Sequence, residues 1–204
     1  MSKDSLVVGI AGVFFGLLVG WIIGSQQGGG RQPSAPPPAA ASSSAGGGQQ
    51  TPPPLDESRA SALKVTAQQN PSDAQTRVEL GNMYFDAGRF PEAVEWYQQA
   101  LKINPKDVNA STDLGIAFYY MNESDKALAQ FDKSLAVDPA HAKTLLNVGI
   151  VRAFGKQDLK GAVEVWQKIL AVAPSSEEAR AARQALDGVR SAHPELGLKP
   201  QGSP

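Results

Sequence analysis

The chain has 204 residues, of which 42% are apolar, enough for about one domain with additional segments. Its 19 Lys and Arg residues nearly balance 20 Asp and Glu residues, so it lacks the basic excess typical of a general nucleic-acid binder. The absence of cysteine excludes disulfides, cysteine-ligated zinc and thiol catalysis. The absence of cysteine does not indicate in which cellular compartment the protein resides.

The first apolar segment covers residues 6–24, LVVGIAGVFFGLLVGWIIG, and contains no charged residue. As a helix it would be about 28 Å long, close to the hydrocarbon thickness of a bilayer. We therefore predict a short N-terminal segment, residues 1–5, followed by a transmembrane helix with Trp21 near the interface. A cleaved signal peptide is the alternative, although no A-x-A triplet follows at the usual distance.

Glycine recurs at every fourth position of this span, which places the glycines along one face of the helix. Such a face predicts close packing against another helix, in a homo- or hetero-oligomer. The alternative is that glycine is simply common in membrane spans. The glycines are Gly12, Gly16, Gly20 and Gly24.

Lys3 precedes the span and Arg31 follows it. A short N-terminus with a lysine usually stays in the cytoplasm. We therefore expect a single-pass inner (cytoplasmic) membrane protein with its bulk in the periplasm or otherwise extracytoplasmic.

Residues 25–54 consist almost entirely of Gly, Pro, Ala, Ser and Gln, with the single charge of Arg31. Such a composition has almost nothing to bury, so we predict a disordered linker. Its expected role is to hold the following domain off the membrane, and a ligand for a proline-recognition domain is the alternative.

Residues 74–174 show an internal period of 34 residues. The third unit gains one residue in its turn, so Ala162, Trp166 and Pro174 follow at a spacing of 35. The recurring positions are Leu80-Gly81 with Leu114-Gly115 and Val148-Gly149, Tyr84 with Phe118, Ala93 with Ala127, Tyr97 with Phe131, and Pro71 with Pro105 and Pro139.

Each unit is expected to form two helices, in the first unit residues 74–87 and 90–103. The turn between them uses Gly88, and in the second unit Asn122, because both residue types tolerate the left-handed backbone region. Ser72 with Gln75, Asp107, and Ser175 with Glu178 mark the predicted helix starts.

This pattern resembles the tetratricopeptide repeat (TPR) family, with Leu-Gly, two aromatic residues, two small residues and proline at the offsets of that family's helix-turn-helix unit. The resemblance implies an all-α TPR solenoid of three repeats, at about 74–107, 108–141 and 142–176. Arg152 departs from the pattern, since it replaces the first aromatic residue.

Helices on both sides would complete a TPR domain of residues 55–189, and the residues 190–204 would be a disordered tail. The N-terminal helix, residues 56–69, would place Leu63 and Thr66 against the stack. The alanine-rich residues 176–189 suit the capping helix that a solenoid needs.

In the TPR family the first helices of successive units line a concave groove in which partners usually dock. The resemblance implies that this groove binds a protein or peptide segment through aromatic, aliphatic and amide side chains, although packing inside the superhelix is the alternative for some of them. The predicted residues are Asn82, Phe85, Asp86, Asn109, Thr112, Ile116, Tyr119, Tyr120, Lys143, Leu146, Asn147, Ile150 and Phe154.

One TPR subclass binds C-terminal carboxylates through a clamp of Lys, Asn and Arg. Asn82 and Lys143 fit that clamp, but Val78, Asp113 and Asn147 stand where Lys, Asn and Arg would be expected, so we do not expect a carboxylate clamp.

No catalytic residue, metal site or cofactor is predicted. The sequence has no cysteine and no His/Glu pair at the spacing of metal ligands, and it has no phosphate-binding loop and no nucleophile motif. The leading hypothesis is a membrane-anchored, non-enzymatic TPR scaffold in the bacterial envelope. Residues 162–186 are similar to TPR subunits of the cytochrome c maturation (biogenesis) machinery, which implies presentation of apocytochrome to haem ligation components. The alternative is an assembly factor for a secretion, pilus or envelope complex that acts mainly through its glycine-faced span.

Overall fold

The computed structural model describes residues 52–198. The predicted span with its four glycines, most of the predicted linker and the last six residues lie outside this range. Among residues 52–198, no helix is both long enough and apolar enough to span a bilayer.

Within the described range the chain is all-helical, as the repeat pattern predicts. Three helix pairs follow one another, α2 with α3, α4 with α5, and α6 with α7. A helix on each side completes the stack, because α1 packs on α2 and α8 packs on α7. The helices are α1 (Glu57–Gln69), α2 (Ala74–Asp86), α3 (Phe90–Ile103), α4 (Val108–Tyr120), α5 (Ser124–Val137), α6 (Ala142–Ile150), α7 (Leu159–Val172) and α8 (Glu177–Ala192).

Side-chain caps fix several of the helix starts. The Asp107 carboxylate accepts a hydrogen bond from the Ala110 amide at 2.9 Å, as its position in the sequence predicts. Two other predicted starts are wrong by one residue, since Asp73 and Ser176 cap α2 and α8 in place of Ser72 and Ser175. The side chain of the residue directly before the helix is the one that reaches the third amide.

Each pair of helices closes where an aromatic ring of the second helix lies against a glycine of the first. A Cβ added to Gly81 would lie 2.5 Å from Tyr97 Cε1. The equivalent glycines of the other units are approached still more closely by rings that are equally buried. The contacts are Gly81 with Tyr97, Gly115 with Phe131, and Gly149 with Trp166.

The turns within the units use a left-handed residue at equivalent positions, Gly88 with φ 71° and Asn122 with φ 63°. In the third unit this residue is Gln157, with φ 56°. The extra residue of that unit is accommodated by a π-turn, Val151–Gly155, in which the Lys156 amide donates to the Val151 carbonyl at 3.0 Å.

The helices at the two ends bury alanine. In α1, Ala60 and Ala67 are buried while Thr66 is exposed, so the prediction that Thr66 faces the stack is wrong. Helix α8 continues to Ala192, and a short 3₁₀ turn follows at Pro194–Leu196. The predicted disordered tail, residues 190–204, therefore begins too early in the sequence, because residues 190–192 belong to α8 and residues 194–196 to the 3₁₀ turn.

Candidate functional site: the first-helix face

An aromatic cluster joins the first two units. It consists of Phe85 at the end of α2, Phe90 at the start of α3, and Tyr119 and Tyr120 at the end of α4. The Phe85 ring centroid lies 5.2 Å from that of Phe90 and 5.3 Å from that of Tyr120, while Phe90 stacks on Tyr120 at 4.8 Å. All four side chains are only half-buried. The cluster is held together by ring contacts and still presents aromatic surface.

Burial, with a further contribution from Tyr119, raises the pKa of Tyr120 to about 12. The hydroxyl is therefore protonated throughout the physiological range, and the cluster remains uncharged. Phe90 was not predicted as a site residue. It begins a second helix, so the spacing of groove positions on first helices could not identify it.

The third unit approaches this cluster through its π-turn. A Cβ added to Gly155 would lie 3.3 Å from the Tyr119 ring. Phe154, in the same turn, is half-buried. The π-turn thus brings the backbone of the third unit close to an aromatic side chain of the second.

Polar side chains of the first helices form pairs in all three units. The Tyr97 hydroxyl donates to Asn82 Oδ1 at 2.7 Å, and Lys143 Nζ lies 2.6 Å from Asp113 Oδ1. The Asp113 and Lys143 side chains are only 11% and 27% exposed. Because few water molecules can reach this pair, each charge is stabilised mainly by the other.

The carboxylates on this side affect one another. Burial raises the pKa of Asp113, and the nearby charge and hydrogen bond of Lys143 oppose that rise. The pKa of Asp86 is raised as well, first by partial burial, although the residue as a whole is exposed, and then by the charge of Asp113. Within the described residues Asp86 forms no ion pair, so the two carboxylates together exceed the single Lys143 ammonium.

A buried hydroxyl pair connects the first helices of the second and third units. Thr112 Oγ1 and Thr144 Oγ1 are 2.6 Å apart, and Thr112 donates its proton to the Val108 carbonyl at 2.7 Å. His141 Nδ1 lies 2.7 Å from Thr144 Oγ1, and burial lowers the pKa of His141. This chain of contacts holds α4 against α6 from within.

The predicted groove residues thus separate into three groups. Thr112, Ile116, Leu146, Asn147 and Ile150 are buried, so their prediction as open groove residues is corrected. Ile116, for example, lies in one core cluster with Phe131 of α5 and Val148 of α6. The partly exposed members are Asn82, Phe85, Tyr119, Tyr120, Lys143 and Phe154, and the exposed ones are Asp86 and Asn109.

Asn147 was expected to offer its amide to a partner, but that amide is used within its own helix. Its side chain is 5% exposed, and its Nδ2 donates to the Lys143 carbonyl at 2.8 Å. The amide is therefore bonded to its own helix.

We refer to the six partly exposed residues, together with Asp86, Phe90 and Asp113, as the first-helix face.

Comparison with protein-family models agrees with this architecture. A TPR repeat model matches residues 81–122, and a second tetratricopeptide repeat model matches residues 112–177. These residues are tetratricopeptide repeats. TPR domains are protein-interaction scaffolds that are generally not enzymes, and stacked repeats of this kind present extended binding surfaces.

Solved structures share the TPR fold. A crystal structure of MamA has a TM-score of 0.60 at 20% identity, with 70% of this chain and 79% of that chain covered. The first TPR of Spaghetti (RPAP3), bound to the HSP90 peptide SRMEEVD, has a TM-score of 0.52 at 22% identity and covers 61% of this chain and 96% of that chain. The first TPR domain of human RPAP3 gives 0.51 at 24% identity, with 61% and 100% covered. No curated protein sequence matches the chain.

Proposed function

We propose that this chain is a membrane-anchored TPR scaffold whose first-helix face binds a segment of a protein partner. The observation that supports this most directly is the half-exposed aromatic cluster, which spans two units and shares helix α4 with Asp113 of the Asp113–Lys143 pair. Aromatic side chains supply large contact area at low entropic cost and are enriched among the residues that dominate binding energy.

The charges of the face indicate which segment it would accept. Lys143 is already paired with Asp113 at 2.6 Å, and Asp86 adds a carboxylate that has no ion-pair partner among the described residues. A peptide ending in carboxylates, such as the one bound by the RPAP3 domain, would meet this negative charge. An apolar or aromatic segment with neutral or basic side chains fits the face better.

The anchor and the pathway rest on the sequence. The predicted span of residues 6–24 and the linker of residues 25–54 would hold the TPR domain at a distance from the membrane, on its extracytoplasmic side. Because residues 162–186 resemble cytochrome c maturation subunits, we propose more specifically that the scaffold presents apocytochrome for haem ligation. The glycine-faced span favours a second candidate, an assembly factor for a secretion, pilus or envelope complex.

The experiment is site-specific photo-crosslinking in cells that produce the full chain. p-Benzoylphenylalanine replaces Phe85 in the aromatic cluster or, as a control, Val172, an apolar residue of α7 that is 41% exposed. We expect a discrete crosslinked protein from position 85 and none from position 172, with mass spectrometry identifying it.

An apocytochrome or a haem-ligation component would support the cytochrome form of the proposal. A secretion or pilus component would support the second candidate. Equal crosslinking from both positions, or crosslinking from Val172 alone, would show that the first-helix face is not the docking surface.

A further inference from the structure

A cleft of about 540 Å³ lies on the other side of the first two units, between the second helices α3 and α5 and above α4. None of the first-helix face residues lines it. Its apolar surface comes from Leu101, Leu114 and Phe118, with Ala129 on the α5 wall. We call this the second-helix cleft.

Its charge is entirely of one sign, because three lysines and no acidic residue line the cleft. Lys126 lies 2.9 Å from the Glu123 carboxylate and 5.7 Å from the centroid of the Phe118 ring. Lys133 donates to the neutral Gln130 amide oxygen at 3.2 Å, and Lys102 forms no ion pair within residues 52–198. Two of the three ammonium groups are therefore free of a carboxylate partner in the part of the chain that the structure describes.

The polar part of the wall is fixed in place. Gln130 Nε2 donates to Ser111 Oγ at 2.8 Å, and the Ser134 and Ser111 hydroxyls are 2.7 Å apart. All three side chains are buried. A satisfied buried network of this kind holds α5 on α4, so the cleft exists before a ligand arrives.

We propose that the second-helix cleft is a second binding site, which takes an acidic segment of a protein partner. An apolar side chain of that segment would lie on Leu101, Leu114 and Phe118, while its carboxylates would pair with Lys102 and Lys133. The two faces of the domain then select opposite charges, because the first-helix face has an excess of carboxylates. A protein segment fits better than nucleic acid, since the chain has a net charge of −1 and the cleft holds a single aromatic ring for stacking.

The probe is a fluorescein-labelled peptide of glutamates that surround one Leu-Phe pair, and its counterpart has lysine in place of glutamate. Binding to the full chain in nonionic detergent is measured by fluorescence anisotropy. We expect the glutamate peptide to bind at the cleft. Any binding of the lysine peptide should occur at the first-helix face and should not change when the cleft is filled by Ala129→Trp. Raised salt should weaken binding, because part of the attraction is between exposed charges.

Charge reversal provides the main test. Lys102→Glu with Lys133→Glu should weaken binding roughly tenfold or more, because attraction becomes like-charge repulsion. The matched control is Lys160→Glu with Lys168→Glu on α7. Lys168 of the third unit is equivalent to Lys133 of the second unit. Equal weakening by both pairs would show only a general response to surface charge, and would overturn the proposal.

Three further measurements define the site and the ligand class. Ala129→Trp fills the cleft without changing its charge, so unchanged binding in that variant would also overturn the proposal. Displacement of the peptide by single-stranded DNA as readily as by unlabelled peptide would reassign the cleft to polyanions in general. Tyr120→Ala should leave peptide binding unchanged, which separates this site from the first-helix face. Circular dichroism confirms folding, and Lys102→Gln with Lys133→Gln replaces the reversal if that variant does not fold.

Discussion

Replacing Lys143 by methionine keeps most of the side-chain length and removes its charge. Asp113 then remains in a site where its side chain is 11% exposed, without the ammonium 2.6 Å away. Breaking a fully buried pair costs about 3–5 kcal/mol. Since Lys143 is 27% exposed and water can partly replace it, we expect a loss of about 2 kcal/mol in the free energy of unfolding at neutral pH. For a domain of this size that lowers Tm by roughly 4–8 °C.

The electrostatic reasoning also predicts how the stability loss in Lys143→Met depends on pH. Burial raises the folded-state pKa of Asp113 above its ordinary value of 3.8. A group with a raised folded-state pKa stabilises the fold below its unfolded pKa and loses that contribution as pH rises through the folded value. Without Lys143 the pKa of Asp113 rises further. The cost of Lys143→Met should therefore be full at neutral pH and shrink below the unfolded pKa, where the carboxyl is protonated in both proteins.

The assay is thermal melting of residues 53–198, followed by circular dichroism at neutral pH and at about pH 3.5. Lys168→Met, at an exposed position of α7, is the control for removal of a lysine. Adding Asp113→Asn to Lys143→Met should recover most of the lost stability, because no buried charge then remains. An equal loss at both pH values, or no recovery in the double variant, would refute the electrostatic reasoning.

Three other outcomes are expected. Residues 53–198 should fold alone as a helical domain, because each end of the stack is covered by a helix, and a random-coil circular dichroism spectrum would contradict this. Gly115→Ala should lower stability by about 1–3 kcal/mol, because its Cβ would overlap the buried Phe131 ring, and partial recovery on adding Phe131→Leu would confirm the overlap. Gly16→Leu with Gly20→Leu should reduce membrane crosslinking by obstructing helix approach, whereas unchanged crosslinking would show that those glycines form no interface.

The repeat pattern predicts the contacts within each unit well. An aromatic residue 16 positions after a Leu-Gly pair indicates a ring against a glycine, and Gly81 with Tyr97 and Gly115 with Phe131 show that contact. These contacts are encoded locally, because two helices joined by a short turn have little freedom in how they pack.

Contacts between units are less visible in the sequence. Groove offsets indicate which side of a first helix faces its neighbours, but not how near the next helix lies, so Thr112 and Ile150 were expected to be open and are buried. The pairing of Asp113 with Lys143 depends on the stacking of two units. Likewise, no short pattern indicates the second-helix cleft, because its lysines come from helices that meet only when the units stack.

The π-turn of the third unit has a consequence for protein engineering. The second helix begins 16 residues after the first in units one and two (Ala74 to Phe90, Val108 to Ser124) and 17 residues after it in the third (Ala142 to Leu159). The third unit also has Arg152 where the first two have an aromatic residue, and Arg152 Nη1 lies 3.4 Å from Asp158 Oδ2. The modules are therefore not interchangeable. A shuffled array with the third unit placed first would separate Gly155 from Tyr119, so the first-helix face depends on the order of the units.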